Sequence, residues 1–94
     1  MRVLNKKLVR EFSSAHPDAK AALDSWVAEL EDAEWKTPVD LKARYHSASI
    51  LGGKRVVFNI RGNRYRALAV VDYVSHVVIV KELGTHAEYD EWVL

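Results

Sequence analysis

Two apolar runs that meet at Gly62-Asn63 constrain this chain more than any other feature of it. Runs rich in Val, Ile, Phe and Tyr on either side of Gly-Asn read as a β-hairpin over Lys54–Asp72, closed by a tight two-residue turn. The turn fixes the register. Arg61 is expected opposite Arg64, Ile60 opposite Tyr65, Asn59 opposite Arg66 and Phe58 opposite Ala67. Because side chains alternate along a strand, the register sorts them into two faces. Val56, Phe58, Ile60, Tyr65, Ala67, Ala69 and Val71 fall on one face, which is apolar throughout. Arg55, Asn59, Arg61, Arg64 and Arg66 surround Val57 on the other, which turns apolar at Leu68 and Val70. Like charges opposed across a sheet destabilise it by up to about 1 kcal/mol, so a face of this kind suits an anion.

The remaining elements assemble around the hairpin. Met1–Leu4 is short and apolar enough for an edge strand, and Asn5 is placed to cap a first helix ending near Ala15. His16-Pro17 interrupts the helix, since a residue before proline avoids the helical region, and Pro17 suits the first turn of a second one. Ala19, Ala22, Leu23, Trp26, Val27, Leu30 and Ala33 then form a continuous helical stripe. Thr37-Pro38-Val39-Asp40 resembles a capping box, with Asp in place of Glu, opening a short helix to about Ala43. A short strand is expected near Ser49–Leu51 and a third long strand over His76–Leu83, ended by Gly84. Thr85-His86-Ala87-Glu88 is a full capping-box pattern for a short C-terminal helix. The expected fold is α+β. Two N-terminal helices pack on one face of a small twisted antiparallel β-sheet, a short C-terminal helix follows, and residues 1–94 form a single domain.

Composition narrows the function classes. The net charge is +1, too small for a protein that coats nucleic acid by neutralising phosphates. Anion binding must therefore come from local segregation of charge. There is no cysteine, which excludes disulfides and thiolate chemistry and fits a cytoplasmic protein. No two of the histidines share a metal-ligand spacing, so neither a metal site nor another cofactor is expected. No N-terminal stretch is apolar enough for secretion or membrane insertion, and no membrane association is expected.

Six blocks, in order, resemble the HigB-type toxins of bacterial type II toxin–antitoxin systems, within the RelE/ParE superfamily. They are His16-Pro17, Trp35-Lys36-Thr37-Pro38, Ser47-Ala48-Ser49-Ile50-Leu51, Arg55-Val56-Val57-Phe58-Asn59-Ile60, Gly62-Asn63-Arg64-Tyr65-Arg66 and Gly84-Thr85-His86-Ala87-Glu88-Tyr89-Asp90. The resemblance implies a ribosome-dependent mRNA endonuclease (an mRNA interferase) that inhibits translation and needs no metal. The ribose 2′-OH attacks the adjacent phosphate while basic side chains stabilise the phosphorane. It also implies a helix-turn-helix, HigA-type antitoxin encoded beside it, with operator DNA bound only through that antitoxin. One branch of the superfamily inhibits DNA gyrase without cutting RNA. That reading, like a plain nucleic-acid or protein-binding module, stays open at this point.

Arg66, one step inside the turn and opposite Asn59, is the expected contact to the scissile phosphate. Arg61, Arg64, Asn59 and Asn63 would hold neighbouring RNA, the arginines through bidentate phosphate contacts, and Lys54, Arg55, Lys42 and Arg44 lie where they would widen the patch. His86, Tyr89 and Asp90 share one helical face, so His86 and Tyr89 are placed to move protons at a ribose-phosphate. The same residues could instead pin the C-terminal segment to the sheet. Tyr65, Trp26 and Trp35 read as core, while Trp92 has no assignment. Reversing Arg61 and Arg64 to glutamate is expected to leave stability unchanged or raised, by removing like-charge repulsion.

Overall fold

Arg55–Ile60 and Tyr65–Asp72 pair antiparallel in the register the alternation dictates, with Ile60 opposite Tyr65, Asn59 opposite Arg66 and Phe58 opposite Ala67. In this computed structural model, which describes Met1–Leu94, they are strands β3 and β4 of one five-stranded sheet. The other strands are β1 (Arg2–Leu4), β2 (Ser49–Ile50) and β5 (Val77–Thr85), and the order across the sheet is β1-β5-β4-β3-β2. Helices α1 (Lys6–Ala15), α2 (Lys20–Asp32), α3 (Pro38–Arg44) and α4 (His86–Tyr89) complete the α+β fold, with Pro17–Ala19 forming a 3-10 turn ahead of α2. The sheet is mixed, because β1 runs parallel to β5. A parallel partner needs a crossover, and here the crossover is the rest of the chain.

The core lies where the apolar face and the helical stripe meet. Val56, Phe58, Ile60, Tyr65, Ala67, Ala69 and Val71 join Leu23, Trp26 and Leu30 of α2 in one buried cluster, with Val9 of α1 and Val78 and Val80 of β5. Phe58 is fully buried and meets the rings of Trp26 and Tyr45 edge-on, at centroid separations of 5.3 and 5.2 Å. Trp35 is also buried in this cluster. No helix is long and apolar enough to cross a membrane.

Four local expectations need correction. Asn5 precedes α1 with a left-handed backbone (φ 70°) and makes no side-chain cap; its Nδ2 donates instead to the Val80 carbonyl at 2.8 Å, tying the helix start to the sheet. At α3, Thr37 accepts from the Asp40 N–H, but the Asp40 carboxylate accepts from Lys36 rather than from Thr37, so the box does not close on its own cap. The β3–β4 turn is also wider than two residues. Pairing stops at Ile60 and Tyr65, and the left-handed positions are Arg61 (φ 54°) and Gly62 (φ 68°), not Gly62 and Asn63.

Finally, Gly84 does not end β5, which runs on to Thr85. A bulge is the cause. Leu68 pairs with Glu82 and Ala69 with Val80, which leaves Lys81 as an extra residue on β5. Beyond it the alternation is reversed, so Leu83 joins the core side and Gly84, the register partner of Arg66, turns to the arginine side.

The β4–β5 turn gives a pH prediction. The Asp72 carboxylate accepts backbone N–H bonds from Ser75 (3.1 Å) and Val74 (3.0 Å) and pairs with Lys54 at 3.2 Å. These contacts, the Ser75 bond foremost, lower its pKa from 3.8 to about 2. A depressed carboxylate contributes stability above its unfolded pKa and loses it as pH falls through the folded one. Thermal denaturation should therefore show stability declining between pH 3.8 and about 2, and Asp72→Asn should flatten that acid limb.

Candidate active site at the hairpin turn

Two clusters, on opposite sides of the sheet, meet at the turn end of the hairpin. The first is on the helix side. The left-handed backbone at Arg61 swings its guanidinium away from the arginine face, where Nη1 reaches the Asp18 carboxylate at 2.5 Å. Arg64 approaches the same oxygen at 3.4 Å, and the Tyr65 hydroxyl donates to both Asp18 oxygens at 2.7 and 2.8 Å. The Tyr65 hydrogen bond, followed by Arg61 and Arg64, holds the Asp18 carboxyl below its usual range, and the same bond raises the Tyr65 phenol. Phe12 and His16 close the cluster, stacked at 4.3 Å and both edge-on to Tyr65.

Arg61 and Arg64 are thus not opposed cations awaiting an anion, because an internal carboxylate lies between them. The expected gain from reversing them is overturned with it. Arg61→Glu with Arg64→Glu would put two carboxylates against a third and strip Asp18 of its ion pairs. The double variant should melt below the wild type, with the gap narrowing as salt screens the repulsion and when Asp18→Asn is added. A melting temperature equal to wild type at low salt would contradict this geometry.

The second cluster is on the arginine side, under α4. A full capping box starts this helix, in which Glu88 N–H donates to Thr85 Oγ1 at 3.2 Å and Thr85 N–H to Glu88 Oε1 at 2.8 Å. His86 N–H donates to the Arg64 carbonyl at 3.0 Å, which ties the helix to the hairpin turn. Arg66 is thereby covered on one side: its guanidinium carbon lies 5.3 Å from the centre of the Tyr89 ring. Its Nη1 donates to the Asn63 carbonyl at 2.7 Å, so the turn backbone orients it. Asn59 faces it in register without a side-chain hydrogen bond between the two, and its Nδ2 donates instead to the Ser47 carbonyl at 3.3 Å. His86 Nδ1 lies 3.4 Å from the Asp90 carboxylate.

Arg66 is thus seated on Tyr89 and held by the Asn63 backbone, while the same short helical segment carries the His86–Asp90 pair. This arrangement offers a fixed cation, an imidazole beside a carboxylate and a phenol, the groups needed to hold a phosphate and move protons around it. No three His, Cys, Asp or Glu side chains converge closely enough to form a metal-binding set.

Other basic residues do not gather here. Lys54 pairs with Asp72, and Arg55 donates to the Gly52 carbonyl at 2.8 Å. Both lie at the far end of β3, roughly 15 Å along the strand from the turn. Arg44 pairs with Glu29 at 2.5 Å, and Lys42 donates to the His46 carbonyl at 2.7 Å and to that of Ala48. Sequence reasoning missed Asp18, which carries no motif of its own, and the role of Gly84, which depends on the bulge.

The family described as the HigB toxin, a RelE-like toxic component of a toxin–antitoxin system, matches residues 19–92. Among curated proteins, the chain is 29% identical over 92 residues to the mRNA interferase toxin HigB of Escherichia coli K12, covering 96% of this chain and 88% of that protein. The mRNA interferase HigB of Shigella flexneri matches to the same extent. The mRNA interferase HigB of Escherichia coli O6:H1 is 25% identical over 93 residues, or 97% and 90% of the two chains.

Proposed function

Since the chain belongs to the HigB family of RelE-like toxins, we propose that it is an mRNA interferase that cuts messenger RNA on the ribosome, in the cytoplasm, without a metal ion. The observation that carries this reading is the seating of Arg66 over Tyr89, on the same short helical segment that carries the His86–Asp90 pair.

In the proposed reaction the 2′-oxygen of a ribose attacks the adjacent phosphorus. The P–O5′ bond breaks, leaving a 2′,3′-cyclic phosphate and a 5′-hydroxyl. Arg66 contacts the nonbridging oxygens, where negative charge builds as the phosphorane forms. One proton must leave the 2′-OH and one must reach the departing 5′-oxygen. Imidazoles commonly titrate near neutral pH whereas phenols do not, so His86 is the first choice for a proton carrier and Tyr89 the second. Asn59 and Asn63 would contact RNA beside the cut and Lys54 and Arg55 RNA further along the strand, while Arg61 and Arg64 would reach it only by exchanging the Asp18 carboxylate for phosphate.

The family implies an antitoxin, and we take it to be a helix-turn-helix protein of HigA type that also carries any operator DNA binding. Complementary charge steers association, so it is expected to cover or distort the arginine side of the hairpin. Expression of this chain alone should arrest growth, and co-expression of the antitoxin should relieve the arrest. Normal growth with abundant folded protein would count against toxicity.

Single-turnover cleavage on programmed ribosomes tests the assigned residues. His86→Ala and Tyr89→Phe should each slow cleavage while leaving antitoxin binding largely intact. Full activity in both would remove them from the mechanism and leave a site built on arginine and lysine. Stalled gyrase with intact mRNA would instead favour the non-nucleolytic branch.

A further inference from the structure

We infer that Gly84 and Trp92 form a slot and wedge that hold Tyr89 against Arg66, making Trp92 a positioning residue for RNA cleavage. The inference rests on the nuclease reading above and adds to it a device that none of the proton-transfer groups supplies.

Helix α4 has only four residues, far too few to be stable by itself. Its capping box and the His86–Arg64 backbone bond fix where it begins. They do not fix how closely it lies on the sheet. Past its end the chain keeps turning, with Asp90 N–H bonded to the His86 carbonyl at 3.2 Å and Trp92 N–H to the Tyr89 carbonyl at 3.0 Å, and this brings the Trp92 indole back onto β5.

It lands on Gly84. A Cβ there would meet Trp92 Cζ2 at 2.8 Å and Glu88 Cβ at 3.2 Å, distances that admit a hydrogen atom but no methyl group. Glycine within a strand weakens it and commonly marks such a close approach. Gly84 is also the register partner of Arg66, so the vacant position lies directly beside the arginine. Trp92 in turn meets the Tyr89 ring edge-on at 5.4 Å and 80°, and the Arg66 guanidinium carbon lies 5.3 Å from the centre of that ring. A chain of contacts therefore runs from the glycine gap through indole and phenol to the guanidinium. Raising the indole by one methyl radius would lift the ring on which Arg66 lies.

Displacements of about 1 Å at a catalytic group can cost on the order of 10²-fold in rate. The test uses the full chain carrying Gly84→Ala, Trp92→Ala or Trp92→Phe, checked for folding by thermal melts. Two readouts are taken: nuclear Overhauser contacts between the Tyr89 ring protons and the Arg66 side chain, which report how the ring sits on the guanidinium, and single-turnover cleavage on programmed ribosomes over a range of ribosome concentration.

Gly84→Ala and Trp92→Ala should both weaken the Tyr89–Arg66 contacts and lower the maximal rate by about 10²-fold, with the half-saturating ribosome concentration little changed. Trp92→Phe, which still fills the slot, should restore most of the rate. Folded Trp92→Ala protein with wild-type Tyr89–Arg66 contacts, or with weakened contacts and a wild-type maximal rate, would overturn the inference. If Gly84→Ala fails to fold, the two Trp92 variants decide it alone. A wild-type protein that cuts no RNA overturns the nuclease reading and the catalytic part of this one. The Tyr89–Arg66 contacts would still decide whether Gly84 and Trp92 fix the ring.

Discussion

Arg66→Ala should lower the single-turnover rate of mRNA cleavage by about 10²-fold or more, as loss of a preorganised charge stabiliser generally does, while leaving the fold intact. The side chain lies on the arginine face of β4, outside the buried cluster, and its contacts are the Asn63 and Tyr65 carbonyls and the Tyr89 ring. Removing it empties no cavity. What is lost is a guanidinium already aimed, so the cost should fall on the chemical step. Arg66→Lys should recover only part of the rate, because an ammonium cannot supply the planar fork that spans two phosphate oxygens. Binding to programmed ribosomes, measured alongside, should change far less than the rate. Equal losses in binding and rate would recast Arg66 as an anchoring residue.

Phe58→Ala should do the reverse, costing about 3–5 kcal/mol of stability through the cavity left in the core. Small domains of this kind have only about 5–15 kcal/mol in total, so much of the sample would unfold under mild denaturant. The ring is fully buried and forms edge-on pairs with Trp26 and Tyr45, so two aromatic contacts disappear with it. Urea denaturation should show a lower midpoint with an unchanged slope, and the fraction that remains folded should cut RNA at the wild-type rate. A small midpoint shift would mean that the apolar face of the hairpin is not the principal core surface.

Strand register and face assignment were legible in the sequence because alternation is a local property and Gly62 marked the turn. The register pairs from Ile60–Tyr65 to Phe58–Ala67, and the burial of Phe58, Tyr65 and Ala67, all follow from it. The stripe on α2 and the capping box at Thr85 were legible for the same reason. Misreadings occurred where a distant residue or an irregularity intervened. Nothing near Arg61 in sequence announces Asp18, 43 positions away, yet that carboxylate draws Arg61 and Arg64 out of the expected clamp. The bulge at Lys81 is equally silent, since periodicity alone would carry Gly84 onto the core face. Arg66 retains its expected face because its alternation is set within the paired part of β4, but its partner is the turn carbonyl rather than Asn59.

Cleavage by 2′-OH attack leaves a signature in the chemistry of the cut ends. Programmed ribosomes should be incubated with the purified protein and the new RNA ends resolved by their susceptibility to kinase and phosphatase. The ends should be 2′,3′-cyclic phosphates and 5′-hydroxyls, formed by the wild type and strongly reduced with Arg66→Ala. New 3′-hydroxyl and 5′-phosphate ends, or mRNA that stays intact beside folded protein, would contradict it.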